Sequence, residues 1–244
     1  MYNIKRKGNI KETKSYVYRC KLSVRKQELL INLFVSGCTA RAAAQIARVN
    51  RNTSILFFRK LRKAISKKKA TKKKGIVEVD ETYLSSGKGG RKKAKQGRNL
   101  DGKIALVGVV ERDTRSLHIE RVYSTSANTL ERFCYCNIEK GSIIHTDSFR
   151  SYNHIKGLGF LHKKVNHFLT FKNPKTLACT NLIESVWAFT KRFFARFAGG
   201  WRNNLDLWLS EIVFRFENKN NLVRALKKLL KTVFNATSAC NSMI

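Results

Sequence analysis

Apolar residues recur at helical spacing in the first third of the chain and at strand spacing after it, with the change of period near residue 75. In SVRKQELLINLFVSG, Leu29, Leu30, Leu33 and Phe34 fall on one helix face, and Gly37 supplies a usual stop. TARAAAQIARVN and RNTSILFFRKLRKAI follow, opening on Thr39 and on Asn50 or Asn52, residue types whose short side chains cap free backbone N–H groups. Three short helices are predicted over 22–65. About three residues around Val49 join the second to the third, which is the spacing of a helix-turn-helix.

SKKKATKKKG (66–75) reads as a basic linker. Beyond it, IVEVDETYL (76–84), KIALVGVVER (103–112) and SLHIERVY (116–123) predict an antiparallel meander, the first two runs parted by the glycine-rich basic loop SSGKGGRKKAKQGRNLDG. SANTLERFCYCNIEKG predicts a helix, SIIHTD a buried strand and LHKKVNH a short strand, and NLIESVWAFTKRFFARF and LDLWLSEIVFRFENKN predict amphipathic helices. The expected class is α/β, a mixed sheet flanked by helices and preceded by a small all-α domain. The expected divisions are a basic arm (1–21), the helix-turn-helix domain (22–65), the linker (66–75), the α/β domain (76–220) and a C-terminal basic helix and tail (221–244).

Charge adds a partner to this picture. With 50 Lys+Arg against 16 Asp+Glu the net charge is +34, and a surface of that sign attracts polyanions, so nucleic acid is the expected partner. In a helix-turn-helix the last helix enters the major groove by its N-terminal residues, here Arg51, Asn52, Thr53 and Ser54, with Arg59, Lys60 and Arg62 left for phosphates. The plain alternative is a three-helix packing unit with a solvated basic face. A 43% hydrophobic content argues against a disordered basic tail. No apolar run approaches the roughly 20 residues of a membrane span, and MYNIKRKGNIKETK lacks a signal segment, so no membrane partner and a cytoplasmic, nucleoid-associated protein are expected. The six cysteines form no CxxC pair and do not predict a zinc site.

The carboxylates carry the chemistry. Asp80 follows the apolar run IVEV and Asp147 follows SIIHT, so each stands at or near the end of a strand expected to be buried. A carboxylate there is costly to desolvate unless it is paired or binds a cation. Glu184 stands beside Ile183, Val186 and Trp187 on a predicted helix. Three carboxylates from two strands and a late helix would suit two divalent cations about 3.5–4 Å apart, the clamp of an in-line phosphoryl displacement. Structural roles stand beside this one: Asp147 capping SFRSY, Asp80 pairing with a lysine, Glu184 as an exposed helix acid. Alternation turns Glu81 to the opposite face as a structural residue, while His145 shares the Asp147 face as a packed core histidine. Trp187, Trp201 and Trp208 read as core.

VDETYL, HTDSFRSY, VNHFLTF and TNLIESVWAFTKR, in that order, resemble the blocks of the DDE-type insertion-sequence transposases with an ISXO-like transposase domain, over roughly residues 20 to 220. The resemblance implies an RNase H-like fold and makes Asp80 and Asp147 metal ligands. Its third acidic position varies between Glu and Asn; Glu184 is the expected ligand and Asn181, three residues earlier on the same helix face, the reserve. Lys191, two turns beyond Glu184, and the adjacent Arg192 are expected on DNA near the cleaved phosphate. Asn166 and His167 match a block without a derivable role. Only Cys20 precedes the helical segment, so the chain resembles the short group without an N-terminal zinc ribbon.

The implied activity is that of a DNA transposase of an insertion sequence: binding terminal inverted repeats, then Mg²⁺- or Mn²⁺-dependent strand cleavage and strand transfer with two ions. Double-stranded DNA at the element ends and target is the implied partner, with a homo-oligomer assembled on it. The rivals are a non-catalytic DNA-binding regulator or decayed transposase, and another RNase H-like nuclease.

Overall fold

The computed structural model describes residues 15–17, 20–87, 102–165 and 179–240. Most of the expected basic arm, most of the glycine-rich loop, and Asn166 and His167 lie outside the described residues. The chain divides into two units, Met1–Ala64 with Val223–Ile244, and Ile65–Leu222.

In the first unit, α1 (Val24–Val35), α2 (Ala40–Ala47) and α3, which begins at Arg51 and runs to Ser66, follow one another. Each opens on a side-chain acceptor: Ser23 takes the Lys26 N–H, and Thr39 Oγ1 takes that of Ala42 at 3.2 Å. Asn50 Oδ1 takes the Asn52 N–H at 2.8 Å, so Asn50 rather than Asn52 is the cap. Arg48, left-handed at φ 50°, turns the chain between α2 and α3. The buried stripe of α1 is Gln27, Leu30, Ile31 and Phe34; Leu29 is an exposed position and Leu33 half-buried, one notch from the expected face.

The second unit is built on a five-stranded mixed sheet. Strands β1 (Ile76–Ser85), β2 (Lys103–Glu111) and β3 (Leu117–Val122) form the antiparallel meander. Helix α4 (Ala127–Asn137) leads to β4 (Ile143–Thr146), and a 3-10 segment (Arg150–Leu158) leads to β5 (Leu161–Lys164). The strand order is β3-β2-β1-β4-β5, with β4 parallel to β1 and β5 parallel to β4. Helices α5 (Asn181–Ala195) and α6 (Leu205–Glu217) close the unit.

Alternation assigns the two faces. Leu84, Leu106, Val110 and Ile119 pack with Ile183, Trp187, Phe193 and Trp208 of α5 and α6. Val77, Val79, Val107 and Ile144 pack on the other face with Phe133 of α4 and with Tyr152 and Ile155. The result is an α/β layered arrangement consistent with an RNase H-like fold.

The basic run 66–75 is more than a tether. Lys73 is 2% exposed, bridges to Ile138 in parallel fashion, and donates through Nζ to Ser116 Oγ at 2.8 Å. A lysine whose aliphatic stem is buried and whose amine is satisfied ties this segment to the sheet domain.

Helix α7 (Leu222–Cys240) belongs, from Val223 on, to the first unit, where Lys227 Nζ pairs with Glu28 Oε1 at 2.9 Å and Tyr16 donates to the same carboxylate at 2.7 Å. Leu226 and Leu230 of α7 are fully buried. Among the described residues no helix is long and apolar enough to cross a membrane.

Candidate active site

Asp80 lies in the middle of β1, the central strand, and not at or near its end as the apolar run suggested, because the ladder with β2 continues to Ser85; it pairs there with Gly108. The face it shares with Glu78 and Leu84 is covered by α5. A glycine stands at 108 because a Cβ there would come within 2.7 Å of the Trp187 ring. That close approach lets Trp187 Nε1 donate to Asp80 Oδ2 at 3.0 Å. Burial, then the neighbouring Glu81 and Asp147 charges, raise the Asp80 carboxyl to about 8.

Asp147 follows β4 directly. The parallel register pairs Glu78 with His145, so Asp80 and Asp147 each stand two residues beyond that last pair, and the Asp147 charge is felt at Asp80. The Asp147 charge is among those that raise the Asp80 carboxyl, after burial and Glu81, which agrees with that adjacency. Asp147 Oδ1 also accepts the Phe149 N–H at 2.9 Å, so the expected capping role is partly present together with the shared site.

Glu78 went unweighed in the sequence, and the structure makes it the anchor of α5. It is 1% exposed and accepts the Leu182 and Ile183 N–H groups at 2.8 and 3.0 Å, a carboxylate seated on the positive end of the helix. Arg112 Nε stands 3.4 Å from it. Burial raises its carboxyl above the ordinary range while the two N–H groups pull the other way. The available signal was its position two residues before Asp80, on the same strand face. Beside it His145, nearly buried and held down in pKa by burial, accepts the Cys179 N–H at 3.4 Å; it is the packed histidine the pattern predicted. Glu81 turns to the other face, where Tyr152 donates to it at 2.8 Å.

The other expected residues of this site lie on α5. Asn181 and Glu184 are exposed in its first turn, where Thr180 Oγ1 donates to Glu184 Oε1 at 2.9 Å. Lys191 and Arg192 are exposed two turns on. Glu184, Trp187 and Lys191 are spaced three and four apart, so they follow one ridge of the helix and flank the indole that holds Asp80. Asp80 and Asp147 are brought together; among the described residues no group of three or more His, Cys, Asp or Glu side chains is gathered to hold a metal. The fit to a hard divalent cation therefore rests on two adjacent carboxylates, one of them driven toward its neutral form chiefly by burial. Mg²⁺ needs no more than one or two carboxylates with water and phosphate completing its shell.

On the first unit, Arg51, Asn52, Arg59 and Lys60 are exposed on α3 and Thr53 is half-buried. Ser54 departs from expectation: it is 0% exposed, because it starts the buried stripe continued by Phe58, Leu61 and Ile65, and so is turned away from any groove. Arg62 is likewise 9% exposed, its guanidinium 5.3 Å over the Phe34 ring, rather than open to phosphate.

The ISXO2-like transposase domain family matches residues 72–217, the segment that holds the whole sheet together with α4, α5 and α6. An uncharacterized transposase-like protein of Haemophilus influenzae is 31% identical over 96 residues, which cover 38% of this chain and 76% of that protein. With more than half of its length matched, the chain belongs to the family of ISXO2-like transposase domains.

Proposed function

We propose that the protein is the DNA transposase of an insertion sequence, with an RNase H-like catalytic domain and a helix-turn-helix that reads the terminal inverted repeats. The observation that carries this reading is the pair Asp80 on β1 and Asp147 directly after the adjacent parallel strand β4, inside the matched family segment.

Asp80 and Asp147 would hold the Mg²⁺ or Mn²⁺, with Glu184, or Asn181 in reserve, completing the protein ligands. When bound, the cations stabilise charge on the phosphoryl oxygens and sharpen a water or hydroxyl nucleophile. Trp187 orients the Asp80 carboxylate, and Glu78 fixes the start of α5, so the ridge bearing Glu184 and Lys191 is held against the sheet. Lys191 and Arg192 meet the DNA backbone near the cleaved phosphate as charge-assisted donors. Strand cleavage and strand transfer are both phosphoryl transfers, with water and then the freed 3′-hydroxyl as nucleophile, so no protein side chain forms a covalent intermediate. Arg51, Asn52, Thr53 and Arg59, with Lys60, supply base-edge and phosphate contacts from α3. Double-stranded DNA at the element ends and target is the partner, and a homo-oligomer forms on it because two ends must meet.

The experiment is strand transfer of an end-containing duplex with Mg²⁺ or Mn²⁺. Asp80→Ala and Asp147→Ala are expected to abolish product while retaining duplex binding; retained transfer would overturn the site. Glu184→Gln and Asn181→Ala, assayed alongside, identify the third ligand by which of them loses transfer.

A further inference from the structure

We infer that a polar concavity at the β3 edge of the sheet is a stacking subsite for an unpaired base of the DNA strand running to the Asp80–Asp147 site, an inference that rests on the function proposed above. The concavity is about 410 Å³, and Arg121, Tyr123, Arg202, Asn203 and Asn204 contribute to its lining.

Tyr123 is the feature that calls for an occupant. It is 79% exposed at the end of an edge strand, and the Arg121 guanidinium lies 4.7 Å from its ring centroid, leaving the opposite ring face to solvent. A base laid on that face would complete a sandwich of guanidinium, phenol and base, the arrangement that single-strand binders use irrespective of sequence. Paired bases already stack on one another, so an unpaired one gains most.

Arg202 is held ready beside it. Its Nε donates to the Ser85 carbonyl at 3.1 Å, and its guanidinium lies 4.9 Å from the Trp201 ring centroid. It occupies space left by two positive-φ glycines: a Cβ on Gly87 would come within 2.8 Å of Cζ, and one on Gly199 would overlap the guanidinium. Such fixing lowers the entropic cost of gripping a phosphate with the remaining N–H donors. Glu120 and Asp206 also line the concavity; their carboxylates repel phosphate and accept from base amino groups, which favours a whole nucleotide over an inorganic anion.

Position links this subsite to the chemistry. Alternation along β3 puts Arg121 on the face of Ile119, which pairs with Gly108 opposite Asp80, and Tyr123, directly after the strand, lies against Arg121. Tyr123 is four residues along and two strands across from Asp80, roughly 16 Å in a straight line at strand rise and spacing; α5 and α6 cover the sheet face between them, so a strand that joins the two passes over these helices. A stacked strand, at about 3.4 Å per nucleotide, needs at least about five nucleotides to span that distance from the cleaved phosphate.

The test is fluorescence anisotropy of the full chain on a blunt duplex and on the same duplex with a five-nucleotide unpaired tail. Wild type is expected to prefer the tailed duplex. Tyr123→Ala should weaken tailed binding between about 5- and 150-fold, the loss of one base–aromatic stack, and leave blunt binding unchanged. Tyr123→Phe, which keeps the ring, should bind as wild type does. An exposed side chain makes misfolding of either variant easy to exclude by circular dichroism. Equal binding of tailed DNA by Tyr123→Ala and wild type overturns the subsite, as does equal loss on both duplexes or a Phe variant as weak as the Ala variant. If wild type binds neither duplex, the DNA reading itself falls and the subsite with it.

Discussion

Asp80 holds a proton that the same residue surrenders near 3.8 when the chain unfolds, because the fold raises its carboxyl to about 8. A raised folded-state pKa on an acid means that the folded chain binds more protons between those two values, so this group's contribution to stability falls as pH climbs from about 4 to about 8. Asp80→Asn removes the titration and keeps an oxygen for the Trp187 N–H. In EDTA its melting temperature should exceed that of wild type at pH 8.5 by several degrees, at roughly 2–8 °C per kcal/mol, and the gap should narrow strongly at pH 5; calorimetry at both values checks it. Trp187→Phe keeps most of the packing over Gly108 but removes a donor that favours the ionised carboxyl. Its strand-transfer rate should need a higher pH than wild type to reach half-maximum, and a pH–rate profile reads the shift. That Asp80 and Asp147 form a candidate pair was legible because each carboxylate follows an apolar strand run; their metal-binding role came from the family resemblance. The Trp187 contact was not, since an indole in an apolar stripe has the same spacing whether or not its N–H is used. Ser54 was misread for a different reason: its place near the start of α3 gives rank along the axis, while burial depends on its angle around it.

At the scale of elements, the junction between β1 and α5 decides whether the site forms. Glu78 satisfies two helix N–H groups and stands beside a guanidinium from inside the fold. Glu78→Ala would leave those partners buried without an acceptor, a loss of about 2–4 kcal/mol, to be measured by urea unfolding. Glu78→Gln retains one carbonyl acceptor and should lose less. The alternation that puts Glu78 on the Asp80 face is visible in IVEVD, but the helix N–H groups it accepts lie more than a hundred residues away, and no local pattern names them. The same limit applies to the linker, whose lysine-rich composition hid the bridge from Lys73 to Ile138. Where element types came out as expected, in the meander and in α4, α5 and α6, a strong period over enough residues made tertiary context unnecessary.

For the molecule as a whole, the first unit is discontinuous in sequence. Composition marked 221–244 as a basic helix and tail, yet nothing in its pattern said which surface its apolar stripe would cover. Leu226 and Leu230 are fully buried, so Leu226→Ala should cost about 2–5 kcal/mol. The effect should appear in the unfolding of the first unit, resolved by hydrogen exchange at the α1 and α3 amides, with the sheet amides unchanged. The return of α7 to its partners also sets a timetable for synthesis. About 165 residues separate the end of the first helical segment from Leu230, so at roughly 5–20 residues per second the ribosome takes on the order of 10–30 s to deliver the missing helix. During that interval the nascent polypeptide can complete its sheet while α1 to α3 still lack their closing partner, and these helices mature only after Leu226 and Leu230 have left the ribosome.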